Sequence, residues 1–322
     1  MLRSLTRIRS HTQIRHLRNM AHKATTHGHA RLPNTFEWTA HTKRGDYLVQ
    51  VAWPLTWGED RVPTEKEVAQ TIYVVDGNAY FFSTVDVTRR LEYTNSTRTV
   101  VVGIGYPPGK HVYDFRRGPD LTPFASEYEM PLNSKGQPRT DISFGEAGEF
   151  LDFIQHDVMP YVHETLFPKA SLETGRRALF GHSYGGIFTL NTLLTRPELF
   201  NTYIAASPII WWNKQFLVRE QEAAFCKREP PVDPAPSLIV TWGSCHDDLE
   251  RHPGEPEEAH LKRKGCAEDD QMRDCASAMV ARLEKCPSIR SVWHKEFKGE
   301  DHGSAAVAGL QQGVMKFVVN RM

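Results

Sequence analysis

Ser183 lies in the run Leu179-Phe180-Gly181-His182-Ser183-Tyr184-Gly185-Gly186, with a glycine two residues to either side. A serine hydroxyl is a poor nucleophile at neutral pH unless a base takes its proton. Gly-x-Ser-x-Gly is the spacing of a nucleophile elbow, a sharp strand-to-helix turn that lifts the hydroxyl clear of a sheet. The five residues alone recur by chance, so their context decides. Ala178-Leu179-Phe180 leads in as an apolar strand, and the segment from Gly186 to Leu194 leads out as a helix. A Cβ at either glycine would crowd so tight a turn. Gly186 would let the helix pack closely on the sheet.

The base that partners such a serine is a histidine, oriented by an acid, and on this scaffold the chain order is serine, acid, histidine. Of fifteen histidines, His302 in Gly299-Glu300-Asp301-His302-Gly303-Ser304 falls in the loop between the last strand and the closing helix. His182 is the elbow's own variable position and His294 sits inside a strand; both read as structural. The acid is expected after the apolar strand 237–244, where Asp247, Asp248 and Glu250 are all in range and spacing does not choose among them. An oxyanion hole needs two backbone N–H groups aimed at the developing charge. Tyr184, directly after the serine, supplies one. Asn78 in Asp76-Gly77-Asn78, at the turn into the first helix, is the candidate for the other.

These residues need a scaffold. Strands are expected at 36–42 and 46–54 as an antiparallel pair, then an apolar strand ending near Asp76 and a helix near 79–91. A buried strand follows at 99–107, an amphipathic helix at 144–166, and the strand 176–183 that ends on the elbow. Beyond it come a short strand in Tyr203-Ile204-Ala205-Ala206, the strand 237–244, a helix near 268–285, the strand 291–297 and a final helix. Strands alternating with helices give a mostly parallel central sheet with helices on both faces. The fold class is therefore α/β, with an N-terminal antiparallel strand pair. Three excursions near 107–145, 208–235 and 245–266, the last read as loop, are the candidate substrate-binding segments. In the first of them, Arg116 and Arg117 either meet an anionic substrate or pair with Asp114 and Asp120. Trp211 and Trp212 are equally suited to packing or to a pocket wall.

Composition narrows the function classes. The 322 residues carry no formal net charge, which gives no basic footprint for nucleic acid. No apolar run is long enough to span a bilayer. Five cysteines, all in the last third, match no common zinc or redox spacing and read as reduced thiols of a cytoplasmic protein. The first twenty residues hold five arginines and no acid, which allows a mitochondrial presequence as the alternative. Residues 1–34 are expected to form a basic leader outside a single domain spanning 35–322. No metal ligand set and no cofactor motif stands out.

Taken together, Tyr73-Val74-Val75-Asp76-Gly77-Asn78-Ala79-Tyr80-Phe81, Val100 to Pro107, Arg116 to Phe124, the elbow, Ser207-Pro208-Ile209-Ile210-Trp211-Trp212 and Asp301-His302-Gly303-Ser304 resemble the esterase-D-like α/β-hydrolases. Within them the chain is similar to the siderophore ester hydrolases, which cut trilactones such as enterobactin and bacillibactin, and to the fungal esterases of triacetylfusarinine C. The resemblance covers about residues 36–322. It implies an α/β-hydrolase fold, Ser183 as nucleophile and His302 as base. It also implies Glu250 as the acid, because Leu249-Glu250 matches a Gly-x-Leu-Glu pattern interrupted by an insertion; Asp247 is second. The implied reaction is hydrolysis of a small-molecule multi-ester, free or as its ferric complex, without a cofactor. The alternatives are a hydrolase or acyltransferase acting on another polyester or lactone, or on small (thio)esters.

Overall fold

The computed structural model describes residues 32–66, 68–132, 135–244, 251, 253–264 and 267–319. The basic leader expected at the N-terminus lies, but for its last three residues, outside them, as do Asp247, Asp248 and Glu250. Asn34–Met322 forms one compact unit.

Its centre is an eight-stranded sheet in the order β1-β2-β4-β3-β5-β6-β7-β8. Strands β1 (Thr35–Thr42) and β2 (Gly45–Ala52) form a hairpin, and β2 runs antiparallel to β4 (Thr99–Gly105). From there β4, β3 (Gln70–Val75), β5 (Arg177–His182), β6 (Thr202–Ala206), β7 (Ser237–Ser244) and β8 (Ser291–Lys298) are all parallel. The inner strands are buried almost throughout. That burial is why they read as unbroken apolar runs rather than alternating ones.

Alternation survives as a choice between two covered faces. Ile72, Val74, Phe180, Ile204 and Ile239 join one core cluster with α1 (Gly77–Asn95) and the closing helix. Tyr73, Val75, Leu179, Tyr203, Leu238 and Val240 join the other. That second cluster takes in the helices between β4 and β5, the elbow helix and the helix between β7 and β8. In chain order the helices after α1 are α2 (Arg117–Leu121), α3 (Ala147–Phe153), α4 (Tyr184–Thr195), α5 (Trp212–Phe216), α6 (Ala223–Cys226), α7 (Glu257–Lys264), α8 (Ala267–Leu283) and α9 (Ser304–Val318).

Three elements depart from the sequence reading. The helix expected over 144–166 starts as α3 and then widens into π-type turns at Ile154–Val158 and Tyr161–Leu166. Pro160 has no N–H to donate and its ring crowds the carbonyl of the preceding turn, so the ladder there cannot remain regular. The segment 245–266, read as loop, contains α7. Its sequence has acids in the first turn and bases in the last, which suits the helix dipole, but it offers almost no apolar period to detect. The 107–145 excursion holds the short helix α2 and a bridge between Leu132 and Pro138.

Candidate active site

Strand β5 ends at His182, and Ser183 follows with φ 61° and ψ −114°. A serine in that region is strained by about 1–3 kcal/mol and persists only where its surroundings dictate it. Here the Ser183 N–H donates to the Ala206 carbonyl at 3.0 Å, and the Ser183 carbonyl accepts from Ile187 N–H at 3.0 Å, which starts α4. The glycines are required by contact. A Cβ built on Gly181 would lie 2.0 Å from the Gly185 carbonyl oxygen, and one on Gly186 would lie 2.8 Å from Pro208 Cα. Both obstacles are backbone, so neither can swing away.

Ser183, Tyr184 and His302 line one cavity of about 380 Å³. Its walls are Glu129, Met130 and Pro131 from the 107–145 excursion and Ile209, Trp211, Trp212 and Asn213 from the 208–235 excursion. Trp212 also packs on Tyr128, Phe144 and Phe216, so this tryptophan serves packing and pocket at once. A larger cavity of about 670 Å³ lies between α1 and α9, but neither Ser183 nor His302 reaches it.

His302 is half-buried on the turn between β8 and α9. That turn is closed reciprocally: Asp301 N–H donates to Ser304 Oγ at 2.9 Å and Ser304 N–H donates to Asp301 Oδ1 at 2.8 Å. It also sits directly on β7, since a Cβ on Gly243 would be 2.1 Å from the Glu300 carbonyl oxygen. Ser244 ends β7 opposite Lys298 of β8. Ser244, the last described residue before the three candidate acids, therefore lies beside the strand that leads to His302.

His182 is buried. Its Nδ1 is 2.9 Å from the Tyr80 hydroxyl, its Nε2 is 2.8 Å from the His302 carbonyl oxygen, and the two imidazole centres are 4.6 Å apart. Burial, and then the neighbouring His302 ring, pushes the His182 pKa down to about 3, so it stays neutral.

At the second candidate oxyanion donor, Asp76 caps α1 in the left-handed region (φ 54°), and its carbonyl accepts from Ala79 and Tyr80. Asn78 is the second residue of α1. Its side chain is committed to Tyr106: Oδ1 accepts from Tyr106 N–H and Nδ2 donates to the Tyr106 carbonyl, both at 2.8 Å. The candidate donor at Asn78 is its main-chain N–H, in the first turn of α1. The start of α1 also lies against the elbow helix, because a Cβ on Gly185 would be 3.0 Å from Val75 Cγ2 and 3.5 Å from Asp76 Oδ2. The N-terminal ends of α1 and α4, with their partial positive charge, thus converge beside Ser183.

One side-chain pair escaped the sequence reading. Arg117 donates to both oxygens of Asp76, Nε to Oδ1 at 3.0 Å and Nη2 to Oδ2 at 2.8 Å. Its guanidinium also lies over the rings of Tyr113 (4.7 Å) and Tyr184 (5.3 Å). Arg116 does face Asp114, at 3.6 Å, but Asp120 takes Arg44 and the Tyr47 hydroxyl instead. Asp76 and Arg117 are far apart in sequence, and no local spacing signals the pairing.

Comparison with known proteins agrees with this architecture. The profile of the family described as "Putative esterase" matches residues 41–238. The "Siderophore enterobactin esterase" of Emericella nidulans is 38% identical over 278 residues, 86% of this chain and 90% of its own length. The "Siderophore triacetylfusarinine C esterase" of Aspergillus fumigatus is 36% identical over 290 residues, 89% of this chain and 94% of its own. Among solved structures, the siderophore hydrolase EstA from Aspergillus nidulans superposes with a TM-score of 0.80 at 35% identity, covering 92% of this chain and 99% of its own. The chain is thus a carboxylic ester hydrolase of α/β-hydrolase fold, and it belongs to the esterase family, in its siderophore ester hydrolase branch. Among the described residues, no helix is long and apolar enough to cross a membrane.

Proposed function

We propose that this protein hydrolyses the ester bonds of a siderophore, triacetylfusarinine C or a related multi-ester, by serine chemistry. Ser183 Oγ attacks an ester carbonyl while His302 takes its proton. The tetrahedral oxyanion is met by the N–H groups of Tyr184 and Asn78. His302 returns the proton to the leaving alcohol, and water then releases the acyl group from Ser183 by the same route. An acid from the segment after β7, Glu250 first and Asp247 second, orients the imidazole.

The observation that carries this reading is a strained serine at the head of α4 that shares its cavity with a histidine from the β8–α9 turn. The substrate class rests on the two fungal relatives and on the shape of the site. Glu129 and Asn213 are shared with an adjoining cavity of about 470 Å³. One arm of a large ester can occupy the Ser183 cavity while the rest extends into its neighbour. We place the reaction in the cytoplasm, in keeping with free thiols at Cys226, Cys275 and Cys286.

The test compares wild type with Ser183→Ala on ferric triacetylfusarinine C, enterobactin and short p-nitrophenyl esters. Turnover by Ser183→Ala at the wild-type rate refutes the nucleophile. Cleavage of the short esters alone refutes the siderophore assignment. Glu250→Gln should lose far more rate than Asp247→Asn, and the reverse order moves the acid to Asp247.

A further inference from the structure

His182 takes no part in the proton transfers proposed above, yet it binds the main chain of the residue that does. Its hydrogen bonds also fix its own tautomer. The His302 carbonyl can only accept, so His182 Nε2 carries the proton. In a neutral imidazole Nδ1 then accepts, so the Tyr80 hydroxyl donates to it. Tyr80 oxygen in turn accepts from the Tyr113 hydroxyl, 2.5 Å away, and the Tyr113 ring lies under the Arg117 guanidinium.

We propose that His182 is a positioning residue: its Nε2–H holds the His302 carbonyl and so fixes the turn that carries the base. This rests on reading His302 as the base. Nothing else in the chain Tyr113–Tyr80–His182–His302 reaches the cavity except its last member. The turn's own closure, between Asp301 and Ser304, shapes it locally but does not tie it to the elbow. The bond from His182 does, and it comes from the residue adjacent to the nucleophile. Nucleophile and base are thereby referenced to one another through a single buried side chain.

The experiment compares His182→Leu with His182→Gln on a short p-nitrophenyl ester. Leucine fills the volume without a donor; glutamine keeps an N–H at the reach of Nε2. A base displaced by about 1 Å costs on the order of 10²-fold in rate. His182→Leu should therefore lose about that factor in kcat with KM within about two-fold, and His182→Gln should recover most of it. A His182→Leu enzyme within about two-fold of wild-type kcat overturns the proposal, and so does a glutamine variant no better than the leucine one. Should His182→Leu fail to fold, Tyr80→Phe decides. It removes the donor that anchors the ring at Nδ1, so it should lower kcat about ten-fold at unchanged KM; an unchanged kcat overturns the proposal. His302→Ala runs in parallel. Its retention of turnover sinks the reading of His302 as base, an outcome distinct from any His182 result.

Discussion

Replacing Arg117 with methionine tests how the start of α1 is held. The Asp76 side chain is 1% exposed and that of Arg117 15%, and two hydrogen bonds join them. Burial alone would lower the arginine's pKa, but the Asp76 carboxylate outweighs it and raises the value. Removing one partner of a buried pair costs about 3–5 kcal/mol, because the other is left charged and unpaired. The slight exposure of Arg117 points to the lower end, and losing its contacts with Tyr113 and Tyr184 adds up to about 1 kcal/mol. For a domain of this size, about 4 kcal/mol corresponds to a fall in Tm on the order of 10 °C. Thermal unfolding at neutral pH and fixed scan rate measures it. Adding Asp76→Asn to Arg117→Met removes the stranded charge and should restore part of the loss. Because Asp76 caps α1, kcat should also fall in Arg117→Met, by about ten-fold or more, as the Asn78 N–H loses its aim. A Tm within about 2 °C of wild type, or no recovery in the double variant, refutes the argument.

Three further outcomes are expected. Gly181→Ala should abolish ester hydrolysis, since its Cβ would meet the Gly185 carbonyl at 2.0 Å and force the elbow open; retained activity would mean the turn relaxes cheaply. Asn213, itself at φ 47°, accepts from Glu129 N–H and donates to the Glu127 carbonyl, both at 2.9 Å. Asn213→Ala should loosen that wall and raise KM for a bulky multi-ester by about five-fold, a loss of about 1 kcal/mol, while a short ester is cut as before; equal effects on both would argue against a specificity role. His163 is buried against Tyr73 at 2.9 Å, and burial followed by Arg177 pushes its pKa down to about 4. Its stabilisation is complete above the unfolded value near 6.5 and is lost progressively as pH falls from there toward 4. Unfolding experiments between pH 7.5 and 5 should show a shallower slope for His163→Gln, by up to about 1.4 kcal/mol per pH unit, and identical slopes would refute this.

Much of the scaffold was legible because the parallel strands are buried on both faces and therefore continuous in apolar residues, as in Val100 to Ile104. Helix α7 was not legible, since charge without apolar period gives no signal, and the π-type turns before and after Pro160 were not either. Ser183 and His302 were singled out from local spacing combined with element order, and they line one cavity. The pairing of Arg117 with Asp76, and the bond from His182 to the His302 carbonyl, were not. His182 in particular reads as structural in the sequence. It is structural in its burial, and its Nε2 bonds the carbonyl of His302 on the turn before α9.

The sequence by itself determined the elbow, because a strained turn admits only small neighbours and those glycines are written next to the serine. It also determined the sheet, because burial on two faces must be encoded residue by residue. Only the tertiary structure decided which distant groups share a site. The two excursions meet over Ser183, Asn213 joins one to the other, and Asp76, Arg117, Tyr80 and His182 converge from separate segments. Such contacts depend on where strands end in space, and strand order in the sheet, not separation along the chain, sets that distance.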